Sequence, residues 1–179
     1  FLALVVVTGI YGPSKLNNYL DEFWVEAAHQ ALLTSLVDAR NHAWDNAVTV
    51  EICAANASKV CIAPYENNIA GWLSYEVAEN GRRMPINFYG FHAEYVGITT
   101  SERFAQLTPL GFDSEGYSLQ RAVIGFDVYS LSGVSNKNYT VLLEPSGALQ
   151  TLVNGALRST VRIAYNDDLI DSLLIKKEG

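Results

Sequence analysis

The chain has 179 residues, of which 49% are hydrophobic and 17% charged, and its formal net charge is −7. That length suffices for one domain with a real core. The acidic balance excludes a general affinity for nucleic acid, which needs basic surface to displace counterions, and argues equally against adhesion to anionic lipid.

The first element is the stretch Phe1-Leu2-Ala3-Leu4-Val5-Val6-Val7-Thr8-Gly9-Ile10-Tyr11, almost wholly apolar and interrupted by Gly12-Pro13. As a helix, residues 1–12 reach roughly 18 Å. A hydrocarbon core needs about 30 Å, or about 20 residues. The stretch is therefore half a span. It also lacks the basic start of a secretory signal, and Gly12-Pro13-Ser14-Lys15 is not a convincing cleavage site. Either the segment packs on protein, or its N-terminal half lies upstream of Phe1.

After Pro13 the pattern becomes amphipathic. Leu16, Tyr19, Leu20, Phe23, Ala27, Ala31, Leu32, Leu36 and Ala39 recur at steps of three and four, the helical period. Ser14 is placed to cap this segment if Pro13 breaks the one before it. No Gly or Pro occurs from Ser14 to Trp44, which predicts a helix of about 30 residues, long for a domain of this size. A helix whose first third is apolar all round must bury that third outside its own domain.

Beyond Asn46 the period shortens. Ala47–Cys53 alternates like a strand, and Lys59–Ala63 and Gly71–Ala78 read similarly, with Asn80-Gly81 as a strong turn signal. Later strand candidates are Ile86–Phe91, Tyr95–Thr99, Ala122–Tyr129, Tyr139–Glu144 and Val161–Tyr165, with a turn at Pro145-Ser146-Gly147. Residues 100–120 read as an irregular excursion. The tail Asp167–Gly179 carries Leu169, Ile170, Leu173, Leu174 and Ile175 and reads as a short helix or a last strand. The expected fold is α+β: a helix over residues 1–45, and a β-rich head over 46–179 with antiparallel sheets packed on the helix.

The two cysteines, Cys53 and Cys61, are too far apart for a thioredoxin-type pair, and no histidine lies beside them to complete a metal site. A disulfide across a short loop is the better reading, the alternative being two buried free thiols. A disulfide would stabilise the fold by roughly 2–3 kcal/mol on the chain-entropy model and implies an oxidising compartment.

Little else carries chemistry. The three histidines are His29, His42 and His92. His42 stands at helical spacing from Asp38 and Asp45, which reads as a solvated face rather than half a metal site. No nucleophile elbow, zinc-protease helix, phosphate loop or dinucleotide fingerprint occurs, so no catalytic, cofactor-binding or metal-binding residue is assigned and an enzyme is not expected. Tyr11, Tyr19, Phe23 and Trp24 read as core or subunit-interface residues, and Trp44 and Trp72 as core of the head. Asn56-Ala57-Ser58 and Asn138-Tyr139-Thr140 fit the glycosylation acceptor pattern at Asn56 and Asn138.

A long N-terminal helix, apolar at its start and followed by a β-domain with one cysteine pair, resembles the plan of type IV pilins and pseudopilins. Within that class, Ala39-Arg40 near the helix end, Val48–Cys53, Cys61 before Gly71-Trp72, Asn80-Gly81 and Glu144-Pro145-Ser146-Gly147 together resemble the GspH/FimT family. The match covers residues 1–81 best. In that family the apolar run ends in a proline. Pro13 would be that proline, and the family's glutamate near the mature N-terminus would then lie upstream of Phe1, since the fifth residue here is Val5.

The resemblance implies a structural subunit of a helical filament, either a type IV pilus or a secretion-type pseudopilus. Phe1, Leu2, Leu4, Val5, Val6, Val7, Ile10, Tyr11, Leu16 and Leu20 would form the polymerisation and membrane helix. Gly9, Gly12 and Pro13 would break it, since glycine weakens a helix and proline removes a donor and clashes with the preceding turn. The implied partners are other copies or related pilins, the inner-membrane assembly machinery, and the inner membrane before assembly. The destination is an extracellular filament or a periplasmic pseudopilus. Some members bind DNA through a basic C-terminal motif. Here Arg158 and Arg162 are followed by acidic residues, so DNA is not an expected partner. The runner-up reading is a monomeric exported adhesin or binding module.

Overall fold

A computed structural model describes residues 2–62, 69–100, 110–133 and 135–161. One helix, α1 (Leu2–Asn46), precedes nine strands: β1 (Thr49–Ala55), β2 (Gly71–Val77), β3 (Arg83–Gly90), β4 (Val96–Thr100), β5 (Leu110–Phe112), β6 (Ile124–Ser130), β7 (Tyr139–Leu143), β8 (Leu149–Val153) and β9 (Ala156–Val161). The fold is α+β, as expected.

At 45 residues, α1 is longer than the sequence pattern suggests, and it runs unbroken through Gly9, Gly12 and Pro13. The expected break is therefore absent from the isolated chain, and Ser14 lies inside the helix rather than capping it. Proline's fixed φ is itself helical. What Pro13 removes is the donor that would bond back to the Gly9 carbonyl, leaving the ladder one rung short without ending it.

The C-terminal end of α1 closes as a Schellman motif. The Val48 N–H donates to the Ala43 carbonyl at 3.0 Å and the Ala47 N–H to the Trp44 carbonyl at 3.3 Å. Ala47 holds the left-handed position with φ 52°, where glycine is the usual occupant.

The strands form two antiparallel sheets. Sheet A has the order β3-β2-β1-β5 and sheet B the order β4-β6-β7-β8-β9. β1 to β3 are consecutive neighbours in sheet A, with Gly81 at φ 77° in the β2–β3 turn. β6 to β9 likewise follow one another across sheet B. The two sheets meet on α1, which packs against β1, β2, β3 and β5 of one and β4, β6 and β7 of the other.

The contact face of α1 is Val25, Ala28, Leu32, Leu36, Ala39 and Ala43, all buried. Its alanines let the backbone approach closely while its leucines fill the space against Val50, Ile52, Phe112, Phe126 and Val141. The Trp72 ring of sheet A stands edge-on to Phe126 of sheet B, with centroids 5.8 Å apart.

Several expectations need correction. The stretch 100–120 contains a strand, β5, whose three residues are all buried and pair with Val50, Glu51 and Ile52 of β1. Such a short run shows no alternation to read. Lys59–Ala63 is not a strand. It contributes an isolated bridge between Ala55 and Cys61, and residues 63–68 lie outside the described residues. The β8–β9 hairpin falls between two expected strands. β9 ends at Val161, so most of the expected Val161–Tyr165 strand, like the tail Asp167–Gly179, lies outside the described residues. Trp72 is core, but Trp44 is 49% exposed, while its neighbour Ala43 takes the buried face of the same helical turn.

One buried cation ties the sheets' outer turns to the helix. Arg40 donates from Nε to the Gly116 carbonyl at 2.9 Å and from Nη2 to the Ser146 carbonyl at 3.5 Å. These carbonyls sit in the turn after β5 and the β7–β8 turn, which also join directly through Ser118 N–H to the Pro145 carbonyl at 3.0 Å. Gly147 has φ 78°, and a β-carbon there would stand 2.8 Å from Arg40 Nε, so both conformation and space demand glycine.

Two stability predictions follow from these contacts. Arg40→Met keeps the aliphatic stem but leaves turn carbonyls without their donor, and should cost about 1.5–3 kcal/mol. Ala47→Gly relieves a left-handed alanine and should stabilise by up to about 1 kcal/mol. Urea unfolding measures both. A loss below about 0.5 kcal/mol for Arg40→Met would show that the clamp carries no weight, and a destabilised Ala47→Gly would refute the cap argument.

Candidate interaction site

Along α1, burial changes abruptly at Asp21. Residues 16–20 are exposed on every side, whereas Asp21, Val25, Ala28 and His29 are buried against the head. Leu16 is 57% exposed, Tyr19 70% and Phe23 52%, and Leu20 is exposed as well. Leu16, Leu20 and Phe23 share one helix face, four and then three residues apart. Of the other stem residues picked out from the sequence, Leu2, Leu4, Val5, Val6, Val7, Ile10 and Tyr11 lie on α1, and Phe1 lies outside the described residues. Among the described residues, no helix is long and apolar enough to cross a membrane.

Where the exposed segment enters the head, polar groups hold it. The Asp21 carboxylate accepts from the Ser130 hydroxyl at 2.5 Å, the Ser132 hydroxyl at 2.7 Å and the Ser135 N–H at 2.9 Å. All three donors lie at the end of β6 or in the loop to β7. Less than two turns further along, the Glu26 carboxylate accepts from the Tyr139 hydroxyl. It also accepts from Gln30 Nε2 and from Lys137 Nζ, each at 3.2 Å. The His29 ring lies flat on the Tyr139 ring, with centroids 4.1 Å apart and planes 10° from parallel. The β6–β7 connection is thus fastened to α1 by two carboxylates.

Their ionisation reflects this. Burial opposes the charge on Asp21, but the two serine hydroxyls and the Ser135 N–H outweigh it and hold the carboxyl below its ordinary 3.8. Burial likewise opposes Glu26, and Tyr139, Gln30 and Lys137 together hold it below its ordinary 4.5. Burial and then the bond to Glu26 push the Tyr139 hydroxyl up.

An aromatic group flanks the joint. Trp24 is half-buried, with Tyr95 stacked nearly parallel at 5.7 Å, His92 at 4.3 Å and Phe23 edge-on at 5.0 Å. Tyr95 also accepts, through its backbone carbonyl, from the Leu131 N–H at 3.0 Å. This connects the loop before β4 to the loop that Asp21 holds.

The remaining sequence candidates separate. Cys53 and Cys61 are joined in a disulfide, with Cα atoms 5.6 Å apart. Inside that loop the Asn56 side-chain oxygen accepts from the Ser58 and Val60 N–H groups at 3.0 and 3.1 Å, so the acceptor triplet is folded into a turn. Asn138 is exposed at the head of β7, and its N–H donates to the Asn154 side chain at 3.0 Å. His42 does not gather Asp38 and Asp45. It meets Glu76 Oε2 at 3.2 Å, while Asp38 accepts from the Tyr89 hydroxyl, which burial and that bond push up to about 12. Among the described residues, no group of three or more His, Cys, Asp or Glu is placed to hold a metal ion. Arg158 lies on β9 and Arg162 outside the described residues.

Sequence reasoning passed over Asp21 and Glu26, and took Arg40 only as part of a resemblance, not as a clamp. The available signal was positional. Asp21 stands four residues before Val25, on the line that Ala28 and Leu32 continue, so a carboxylate on the apolar stripe needed a partner.

The fold has solved counterparts. Two crystal forms of the type IV minor pilin FimU from Pseudomonas aeruginosa (strain PAO1) superpose on it with a TM-score of 0.53 each. In space group P21 the match is 15% identical in sequence and covers 78% of this chain and 95% of that one. In space group P65 it is 14% identical and covers 75% and 97%. The chain therefore has a type IV pilin-like fold. No protein-family model matches it, and no curated protein matches it by sequence.

The carboxylate joint predicts an acid limit to stability. A depressed carboxyl adds stability that is complete above its unfolded value and disappears as pH falls through the lower folded value. Thermal unfolding should therefore show a steady loss as pH falls below about 4.5, through the ordinary carboxylate range and beyond it. Asp21→Asn with Glu26→Gln should be less stable at neutral pH and flatter across that window. An unchanged slope in the double variant would rule the joint out as its origin.

Proposed function

We propose that the chain is a structural subunit of a helical filament of the type IV pilus or pseudopilus kind. Residues 1–45 act as its stem and 46–179 as its head. The observation that supports this most is the stem's surface: Leu16, Tyr19 and Leu20 are exposed on helix turns that precede the head's hold at Asp21, and Phe23 is exposed just beyond it, continuing an N-terminal stretch without a charged residue before Lys15. A helix extending about 30 Å beyond its domain, apolar over its first ~18 Å, is costly in water. At roughly 1.5–3 kcal/mol per large side chain buried, a neighbour that covers it gains more than about 10 kcal/mol. The pilin-like fold supports the same reading, as does the disulfide, which suits an oxidising compartment.

Before assembly the stem rests in the inner membrane, from which an assembly machinery draws the subunit. Moving from lipid to a filament core of like stems is nearly neutral in hydrophobic terms, so packing and head contacts direct it. Gly9, Gly12 and Pro13, which leave the free helix continuous, are where it loosens on assembly, since the missing rung at Pro13 costs least to open. No catalytic role is part of this reading, and neither cofactor nor DNA is required.

The test is direct imaging. On removal of detergent the full-length chain, alone or with its cognate pilins, should form filaments visible by electron microscopy, and Val6→Glu should abolish them while leaving the Cys53–Cys61 disulfide intact. Monodisperse wild-type monomers in the absence of detergent, or filaments unaffected by Val6→Glu, would sink the proposal.

A further inference from the structure

The loop between β6 and β7 is held in an unusual way. Ser130 and Ser132 both donate to Asp21, and the residue between them, Leu131, is 55% exposed. Leu131 is not simply loose, because its N–H is bound to the Tyr95 carbonyl at 3.0 Å. A carboxylate bearing the cost of burial, two hydroxyls and a backbone bond thus combine to present one leucine to solvent. That bond joins Leu131 to the exposed Tyr95, whose ring stacks on Trp24, and Trp24 in turn meets the exposed Phe23 edge-on. Leu20, also exposed, lies one helical turn before Trp24. Their rim is polar, with Glu22 and Glu94 exposed. An apolar centre with a charged rim is the anatomy of a protein-binding patch.

We propose that this collar, made of Leu20, Phe23, Tyr95 and Leu131, is the docking surface for the stem of a second copy of the chain, with Asp21 as the positioning residue that sets Leu131 in place. The inference rests on the filament reading and adds the partner surface to it. Two features select the occupant. Leu20 and Phe23 belong both to the collar and to the exposed Leu16–Leu20–Phe23 face of the stem, so a helix that covers that face reaches the collar. Residues 1–14 of the chain contain no Asp, Glu, Lys, Arg or His, so this segment meets the apolar centre without leaving a charge unpaired.

Photo-crosslinking of the full-length chain under assembling conditions tests this. A benzoylphenylalanine probe replacing Leu131 should form adducts that mass spectrometry maps to residues 1–14 of another copy. Asp21→Ala should lower that yield about fivefold or more, because the loop is released, while the Cys53–Cys61 disulfide and the circular dichroism of the head persist. Should Asp21→Ala fail to fold, a probe replacing the exposed Phe23 serves instead. Adding Leu131→Glu should cut its yield by a similar factor, and an unchanged yield overturns the collar. A control probe at Leu4 separates the two levels of the argument. Stem-to-stem adducts from Leu4, with none from Leu131 or with Leu131 adducts elsewhere, overturn the collar and leave the filament reading standing. Absence of adducts from both probes overturns both.

Discussion

The structure depends on one stripe of one helix. Among the described residues the two sheets share no strand and no ladder hydrogen bond. Beyond the Trp72–Phe126 ring contact and the Ser118–Pro145 bond, what makes them a single head is that Val25, Ala28, Leu32, Leu36, Ala39 and Ala43 give both of them the same surface to pack on. Each sheet alone would leave an apolar face in water, and each strand set is too small to close on itself. The helix half that folds the head is also rigidly continuous with the half that the head does not cover. On the filament proposal, assembly and folding share one element, and neither can be altered freely without the other.

The polar residues on that stripe complete what packing cannot. Hydrophobic contact is non-directional and would allow the helix to slide or rotate over the sheets. Arg40 at one end and Asp21 with Glu26 at the other remove that freedom, because each must find specific donors or acceptors once buried. Arg40 reads the carbonyls of two turns, one following each sheet's strand, and Gly147 is the residue small enough to let it do so. The carboxylates read the serines and the tyrosine of the β6–β7 connection. Between these fixed points the aliphatic contacts set the distance and the polar ones set the register.

This division explains what could be read from the sequence. The helix was legible because Leu16 to Ala39 keep their period over many turns, and β1, β2, β6 and β7 because their alternation matches a sheet with one buried face. Asn80-Gly81 and Pro145-Ser146-Gly147 announced their turns by backbone chemistry. β5 was not legible: three residues cannot display a period, and its identity is set by its partner β1. Trp44 misled because its size predicts burial, whereas the buried face of its helical turn is taken by Ala43. Of the site, the apolar stem could be named residue by residue, but the joint could not. Asp21 and Ser132 are 111 residues apart in the chain, and no local pattern carries that pairing.

Asp21 also fixes where the stem must end. A carboxylate inside a bilayer or a packed helical core costs several kcal/mol unless its partners travel with it. Asp21 takes its partners from its own head, through Ser130, Ser132 and Ser135, so its charge is satisfied only in the position the head dictates. Lys15 has an aliphatic side chain long enough to keep its ammonium in water. Asp21 has no such reach. The pair of carboxylates therefore does more than fasten a loop. It marks the deepest point to which the head can follow the helix, and the apolar surface on the other side of that point is what remains for a neighbour to cover.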